Sequence, residues 1–273
     1  MTIFLTGGTG FIGQNFLKYA LTKNFKIYAL RRTNNYNFIH PNLTWIDGDL
    51  KNFDINSIKD CNTLIHLASH STNYPYDSIL NCIQYNVLDT LNFLQVLYEN
   101  NFENFFISGS GFEYGLSANN YDKIPVDAKL QPIGTYPTSK ALLSIALKEW
   151  VNKRKVKFIY GRFFHVYGDG EFHKRLWPSL KIAAQNGDDF IMTKGDQIRD
   201  FIEVEELSKI ILNSIKFNKI KFSEIRYQNF GSGDSISVRE FAEFWWKKFN
   251  ATGRLIYSLP YREGEIMNFI PKL

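Results

Sequence analysis

Cysteine is scarce in this 273-residue chain, and long apolar runs are missing. Its two cysteines, Cys61 and Cys82, show no CxxC spacing, which excludes a disulfide-rich scaffold and a cysteine-based metal site. No run approaches the roughly 18 apolar residues that span a bilayer. An apolar strand begins within the first five residues, which leaves no room for a secretory signal. We therefore expect a cytoplasmic protein without a membrane span.

Clustered charge is also lacking. The net charge is +5, from 32 Lys+Arg against 27 Asp+Glu, but the basic residues are scattered. This balance suits an anionic substrate and gives little support to nucleic-acid binding. His165 and His173 stand eight residues apart without carboxylate or cysteine partners at ligand spacing, so no metal site is predicted.

Strand-like apolar runs alternate with longer helical segments in the first half of the chain. This alternation predicts an α/β fold with a doubly wound parallel sheet covered on both faces. We expect a first domain at 1–168 and a smaller substrate-binding lobe at 169–273, some segments of which return to the first domain. Further helices are expected near 179–186 and 203–215, and after Ser237, whose capping box is completed by Glu240. The predicted strands of the first domain are Thr2–Leu5, Lys26–Leu30, Leu43–Ile46, Thr63–Leu67, Asn104–Ser108 and Lys157–Arg162, with helices near 11–22, 79–100 and 138–152.

The stretch TGGTGFIG, residues 6–13, holds four glycines between the first strand and the first helix. Gly7, Gly10 and Gly13 have the spacing G-x-x-G-x-x-G. Glycines permit a tight turn and let the main chain approach a pyrophosphate at a helix N-terminus, where free N–H groups point at the anion. The motif predicts a dinucleotide site; the alternative is a tight turn without a ligand.

The second strand ends in Arg31 and Arg32, where a dinucleotide-binding domain usually recognises the adenosine ribose. An acidic residue there would accept a hydrogen bond from a 2′-hydroxyl, whereas arginines offer donors to a 2′-phosphate. We therefore favour NADP(H) over NAD(H). The alternative is that the arginines are merely solvated after the strand.

Tyr136 and Lys140 lie four residues apart at the start of a predicted helix, so their side chains share one helix face. A nearby ammonium is expected to lower the pKa of a phenol toward values useful for proton transfer. Ser110 follows a central strand, at the same sheet edge as the glycine turn. Its hydroxyl there is a candidate donor to a substrate carbonyl oxygen.

These motifs together resemble the extended short-chain dehydrogenase/reductase superfamily, in its nucleotide-sugar epimerase, dehydratase and ketoreductase branch, which has a Rossmann-type sheet. The resemblance extends over nearly the whole chain. It includes LIHLAS at 64–69, NVLDTLNFL at 86–94 with Asp89 in place of a glycine, GRFFHVYGDGE at 161–171 with His165 in place of an asparagine, and GDQIRDFIEVEEL at 195–207.

The resemblance implies roles for particular residues. Ser110 would bond the reacting oxygen, Tyr136 would exchange its proton, and Lys140 would hold the nicotinamide ribose. It further implies a nucleotide-diphosphate sugar as substrate and a homodimer built from the helices near 79–100 and 138–152. The implied cofactor-binding residues are Gly7, Thr9, Gly10, Phe11, Ile12, Gly13, Arg31, Arg32, Asp49, Leu50, Leu67, Ala68, Ser69, Asn86, Tyr136 and Lys140, and the implied substrate-binding residues are Phe112, His165, Arg175, Leu176, Arg199 and Arg262.

Departures from the family's motifs reduce the number of reactions that this chain is expected to catalyse. Dehydratases of this type carry an Asp-Glu pair directly after the catalytic Ser or Thr, where this chain has Gly111 and Phe112, so dehydration is not expected. The back half is similar to reductases of nucleotide-linked 4-keto-6-deoxy or 3,6-dideoxy sugars, such as the paratose and abequose synthases of O-antigen pathways. NADPH-dependent reduction at C4 is the leading hypothesis. A 4-epimerase with tightly held NAD and a non-catalytic dinucleotide sensor are the alternatives.

Overall fold

A seven-stranded parallel sheet forms the centre of the computed structural model, which describes residues 2–33, 36, 38–262 and 264–273. The spatial order is β3-β2-β1-β4-β5-β6-β11, and the order reverses between β1 and β4. This is the doubly wound, Rossmann-type arrangement, in which ligands bind at the carboxyl ends of the strands. The strands are β1 Thr2–Thr6, β2 Lys26–Arg31, β3 Leu43–Asp47, β4 Thr63–His66, β5 Asn104–Ser110, β6 Lys157–Phe163 and β11 Glu224–Phe230.

Helices cover both faces of this sheet because its strands are apolar on both sides. In β1, Ile3 and Leu5 pack toward one face, where α1 and α6 lie, and Phe4 packs toward the other, where α3 and α4 lie. All three side chains are fully buried. Two-sided burial explains why the strands read as continuous apolar runs. The helices are α1 Phe11–Thr22, α2 Ile79–Ile83, α3 Asp89–Glu99, α4 Thr135–Asn152, α5 Leu176–Asn186, α6 Val204–Ser214 and α7 Val238–Lys248.

The structure corrects several predicted boundaries. The helix expected at 79–100 is divided, because a π-helical segment at Gln84–Leu88 separates α2 from α3. Helix α4 begins at Thr135 instead of residue 138, and β5 extends through Ser110. Strand β11, which was not predicted, forms an edge of the central sheet beside β6.

Short strands in the second half form three small sheets near the carboxyl edge of the main sheet. Strand β7 pairs with β10, and β8 pairs with β13. Strand β9 lies between β12 and β14 in the third sheet. Ser237 caps α7 as predicted, since its Oγ accepts from Glu240 N at 3.0 Å while Glu240 Oε2 accepts from Ser237 N at 2.8 Å. Among the described residues, none of the helices combines the length and the apolar character that crossing a bilayer requires. The remaining strands are β7 His165–Tyr167, β8 Phe190–Met192, β9 Ile198–Arg199, β10 Phe201–Glu203, β12 Ile236–Ser237, β13 Leu255–Tyr257 and β14 Asn268–Phe269.

Candidate active site

The glycine turn between β1 and α1 is a close-packed cradle. Gly7 has φ +74°, and a Cβ there would lie 2.5 Å from Ala68 N; a Cβ on Gly13 would lie 1.9 Å from Gly7 O. Gly10 is the N-cap of α1, and no side chain caps the helix. The N–H groups of the first turn are therefore available to an anion, as a pyrophosphate site requires.

A cleft of about 940 Å³ opens above this turn, along the carboxyl edge of the sheet. The turn, the end of β2, the loop after β4 and the end of β5 all contribute to its walls. Most of the predicted site residues therefore share one cavity. Those that line it are Gly7, Thr9, Gly10, Phe11, Ile12, Gly13, Arg31, Arg32, Asp49, Leu50, Leu67, Ala68, Ser69, Ser110, Phe112, Tyr136 and Arg175.

At one end of the cleft, the two arginines after β2 differ in their surroundings. Arg31 Nε donates to Asp47 Oδ1 at 2.7 Å, and its guanidinium lies 5.4 Å from the centre of the Trp45 ring. Arg32 is exposed at the rim. Arg31 is therefore already held by a carboxylate and a ring, whereas Arg32 has neither kind of partner among the described residues. Asp49 lies next to them, after β3, where its Oδ1 accepts from the main chain of Lys51 and Asn52.

The predicted catalytic residues come together at the other end of the cleft. Ser110 ends β5 and Tyr136 lies in the first turn of α4, and both side chains line the cavity while being more than nine-tenths buried. The hydroxyls of Ser110 and Ser69 lie beside the phenol of Tyr136 and lower its pKa. Lys140, 2% exposed, lies one turn further along α4, beneath the cavity floor.

The pKa of Tyr136 is shifted in the direction opposite to the one expected. Burial raises this pKa above its ordinary value, the carboxylate of Glu113 raises it further, and the bonds with Ser110 and Ser69 compensate only in part. Loss of hydration thus outweighs the influence expected from Lys140. Burial lowers the pKa of Lys140 itself to about 8, although Glu113 opposes this shift.

Asn86, predicted to bind the cofactor, lies behind the cleft wall and holds the residues of that wall by hydrogen bonds. Its Oδ1 accepts from His70 N at 2.7 Å, and its Nδ2 donates to Ser139 Oγ at 2.9 Å. The side chain thus ties the loop after β4 to α4. Asn86 reaches the cleft through Ser69, whose Oγ donates to Asn86 Oδ1 at 3.3 Å.

The predicted substrate-binding residues are divided. Phe112 and Arg175 line the cleft, but His165, Leu176, Arg199 and Arg262 are not among its lining residues. The Arg199 guanidinium is bound by Glu265 at 2.7 Å, and Leu176 packs into the small core between α5 and α7. Arg262 is exposed and lies 5.6 Å from the ring centre of Tyr74. His165 lies behind Phe112, with ring centres 5.5 Å apart, and burial holds its pKa well below the usual range.

Two residues of this region were missed by the sequence analysis. Tyr76 packs against Tyr136 with ring centres 5.5 Å apart. Glu171 lines the cleft with one oxygen 3.0 Å from Arg175 Nε, while its buried Oε2 has no hydrogen-bond partner within the described part of the chain. Burial raises the pKa of Glu171 to about 7. Tyr76 lies outside the motifs identified in the sequence, and Glu171, the last residue of GRFFHVYGDGE, was given no role there; their position in the folded chain reveals both.

Comparisons with known proteins agree with this architecture. The family model described as "NAD dependent epimerase/dehydratase family" matches residues 3–223. CDP-abequose synthase of Salmonella typhimurium is 23% identical over 97% of this chain and 87% of that protein. UDP-glucose 4-epimerase of Lactobacillus helveticus is 25% identical over 76% of this chain and 69% of that protein. A solved structure of UDP-N-acetylglucosamine 4-epimerase from Methanobrevibacter ruminantium superimposes with a TM-score of 0.87 at 24% identity, covering 100% of this chain and 89% of that one, which establishes the shared fold.

Proposed function

Because this chain belongs to the NAD dependent epimerase/dehydratase family, we propose that it is an oxidoreductase of nucleotide-linked sugars. The reaction we assign is NADPH-dependent reduction of the C4 keto group of a 4-keto-6-deoxy or 3,6-dideoxy sugar. The observation that supports it is the meeting of Ser110, Tyr136 and Lys140 at the end of a cleft that begins at the glycine turn. Such a cleft suits a dinucleotide with its reactive end beside a proton donor.

The residues present fit a dinucleotide. Gly7 and Gly13 leave no room for side chains where the main chain must approach a pyrophosphate, and the uncapped N-terminus of α1 supplies N–H donors. Arg32 at the rim is the residue to which we assign a 2′-phosphate. When bound, the reduced nicotinamide supplies a hydride to the carbonyl carbon.

The chain's own residues handle the proton. Tyr136 donates its phenolic proton to the oxygen that gains negative charge, and the hydroxyl of Ser110 bonds the same oxygen. The ammonium of Lys140 stabilises the tyrosinate left behind. With a pKa of about 8, Lys140 is mainly protonated at pH 7, so this charge is available at neutral pH.

The substrate half of the cleft is basic and aromatic. Arg175 lines it, and the charges of Arg175 and Arg262 both reach the phenol of Tyr76. Guanidinium groups suit a diphosphate, and aromatic rings suit a base or a sugar face. The match to CDP-abequose synthase along almost the whole chain supports a nucleotide-linked deoxysugar of the kind used in surface polysaccharides.

One observation favours a second function, nucleotide-sugar 4-epimerisation with retained NAD. Arg31 is already bound by Asp47, so only part of the predicted 2′-phosphate site is available. The similarity to UDP-glucose 4-epimerase supports the same alternative. An epimerase returns the hydride it has taken and has little need of a 2′-phosphate site.

The dinucleotide that co-purifies with the protein distinguishes these functions. We would denature freshly purified protein, before and after extensive dialysis, and identify the released nucleotide by mass spectrometry. NADP(H) that dialyses away, followed by turnover on a panel of nucleotide-linked 4-keto sugars, is the result expected for a reductase. Near-stoichiometric NAD that survives dialysis would overturn the reductase assignment and favour the epimerase.

We also propose a homodimer. Exposed apolar side chains lie on α2, the π-helical segment and α4, which pack against each other. Within the segment 79–100 that was expected to form the dimer, Leu88 is 47% exposed, while Phe93 and Leu97 belong to the core and Leu91 packs partly against it. Leu88 thus supports an interface on this side of the molecule.

A further inference from the structure

Glu113 has no place in the chemistry described above, yet it is a fully buried carboxylate next to the catalytic serine. It ends the 3₁₀ turn Gly111–Glu113 that follows β5, and it is not among the residues lining the cleft. Its Oε1 accepts from Ser110 N at 2.7 Å and from Tyr160 Oη at 2.8 Å. Its Oε2 accepts from Arg162 Nε at 2.7 Å. The side chain therefore turns away from the cleft.

The same carboxylate reaches the catalytic helix through β6. Arg162 on β6, whose Nε donates to Glu113, also donates from Nη2 to Ser144 Oγ on α4 at 3.1 Å. One anion thus connects the end of β5, strand β6 and helix α4. Of these elements, β5 carries Ser110, and α4 carries Tyr136 and Lys140.

Room for this network is made by Gly109. A Cβ at that position would lie 2.7 Å from Glu113 Oε1 and 2.3 Å from Tyr160 Cε1. Arg162 is further satisfied by Tyr114 Oη at 3.1 Å and Val126 O at 3.0 Å. Burying an ion pair carries a large desolvation cost, which such a complete set of partners offsets. A buried ion pair between Glu113 and Arg162, directly beside Ser110, therefore indicates a role other than packing.

The charge of Glu113 acts on both reactive groups of α4. It raises the pKa of Tyr136 and also raises that of Lys140. The other groups facing Lys140 are weaker influences: His66 on β4 is uncharged because burial lowers its pKa to about 3, and Tyr136 is a neutral phenol. Arg162 on β6 is bound to Glu113, and Tyr76 faces Tyr136 as a neutral ring.

We propose that Glu113 is a positioning residue of the active site: its carboxylate fixes the main chain at Ser110 and, through Arg162, helix α4 at Ser144, so that one buried charge aligns the two catalytic elements. This inference rests on the proposed function of those residues. Arg162 is its counter-ion and completes the connection to α4.

The first test needs no substrate. Lysine labelled with ¹³C at Cε is titrated by NMR, and the signal of Lys140 is assigned by its loss in Lys140→Met. In Glu113→Gln the pKa of Lys140 should fall by roughly half a unit to one unit, because a nearby anion has been removed. In the controls Glu113→Asp, which keeps the charge, and Tyr114→Phe, which perturbs the network without touching Glu113, it should not move.

The second test is the pH dependence of turnover. In Glu113→Gln, kcat should fall roughly 10- to 100-fold through misplacement of Ser110. The pH profile should shift to lower pH, since both catalytic pKa values fall when the anion is removed. Tyr114→Phe should keep the wild-type profile. If Glu113→Gln does not fold, Glu113→Gln combined with Arg162→Gln removes both charges and leaves two amides to pair; a smaller shift of the same sign is then expected.

The outcomes separate this inference from the proposed function. An unchanged Lys140 titration in a folded Glu113→Gln protein, or kinetics no different from those of Tyr114→Phe, would overturn the role of Glu113. Absence of turnover in the wild-type protein across the keto-sugar panel would contradict the proposed function, and the NMR titration would still decide the role of Glu113.

Discussion

The phenol of Tyr136 occupies a position that is at once buried and open to the cleft. Burial and Glu113 raise its pKa, while Ser110 and Ser69 lower it. A phenol with a raised pKa keeps its proton at neutral pH, and it can still donate to an alkoxide, as we propose, because an alkoxide is a stronger base than a phenolate. Beside it, Lys140 with a pKa of about 8 loses its charge as the pH rises through that value. Activity that depends on this ammonium should therefore decline above about pH 8.

Replacing the phenolic hydroxyl tests this arrangement at a single residue. Tyr136→Phe should lower kcat by about 100- to 10,000-fold, because the proton donor is removed while the ring and its contact with Tyr76 are kept. Steady-state kinetics on the active keto sugar measures the effect, and circular dichroism checks the fold. Tyr98→Phe on α3, remote from the cleft, is the matched control and should be indistinguishable from wild type. Full activity of Tyr136→Phe would contradict the assignment.

The β1–α1 turn shows how one element is set by backbone geometry instead of side chains. Its two outer glycines face main chain on opposite sides: Gly7 faces the loop after β4, and Gly13 faces Gly7 itself. The helix begins where the turn ends, so its dipole and free N–H groups point into the cleft. A side chain at either position would displace the neighbouring main chain. The main-chain N–H groups that form the anion site would then be displaced together.

We expect Gly13→Ala to damage this element. Its Cβ would overlap Gly7 O, and the forced shift should cost roughly 1–3 kcal/mol of folding free energy, which corresponds to a loss of a few degrees in Tm for a chain of this size. Dinucleotide affinity, measured by calorimetry, should fall as well. Gly8→Ala is the control, since a Cβ there meets no atom nearer than the flexible Leu5 side chain at 3.3 Å. Equal binding by both variants would argue against the cradle.

At the scale of the whole molecule, helix α4, which carries Tyr136 and Lys140, and helix α2, which packs against it, present apolar side chains to solvent. Leu80 on α2 is 76% exposed and Ile145 on α4 is 61% exposed. Exposed side chains of this size on packed elements support the proposed interface between copies of the chain. Dimerisation there would stiffen α4 from the side opposite Tyr136 and Lys140.

A charge placed on this surface should separate the subunits. Ile145→Asp is expected to raise the dimer dissociation constant roughly 100-fold or more, since an unpaired carboxylate is costly to desolvate. Light scattering coupled to size-exclusion chromatography measures the mass. Ile191→Asp changes a residue of similar exposure, 52%, on β8 and should leave the mass unchanged. Wild-type protein that elutes as a monomer at all concentrations would exclude the dimer.

Local pattern determined much of this molecule from the sequence alone. The Rossmann-type α/β fold and the family resemblance are confirmed, and helix α1 has the predicted bounds. These features follow from periodicity and turn chemistry within a few residues, where backbone geometry leaves few alternatives. For the same reason, the four-residue spacing of Tyr136 and Lys140 predicted a shared helix face. The same residues do not encode how strongly burial shifts each pKa. The expectation that the pKa of Tyr136 would be lowered was wrong, because burial raises it.

Only the tertiary structure decided which distant residues meet. Strand β11 pairs with β6, and Asn86 holds the loop after β4. Glu113 turns away from the cleft toward Arg162. Each of these arrangements depends on a partner that is distant in the sequence. Such pairings are fixed by the total packing and by the need to satisfy every buried polar group, which no local pattern records. The sequence by itself determined the helices and strands and the functional groups that they carry. The packed chain decided how those groups are aligned with one another, because alignment depends on the contacts between elements.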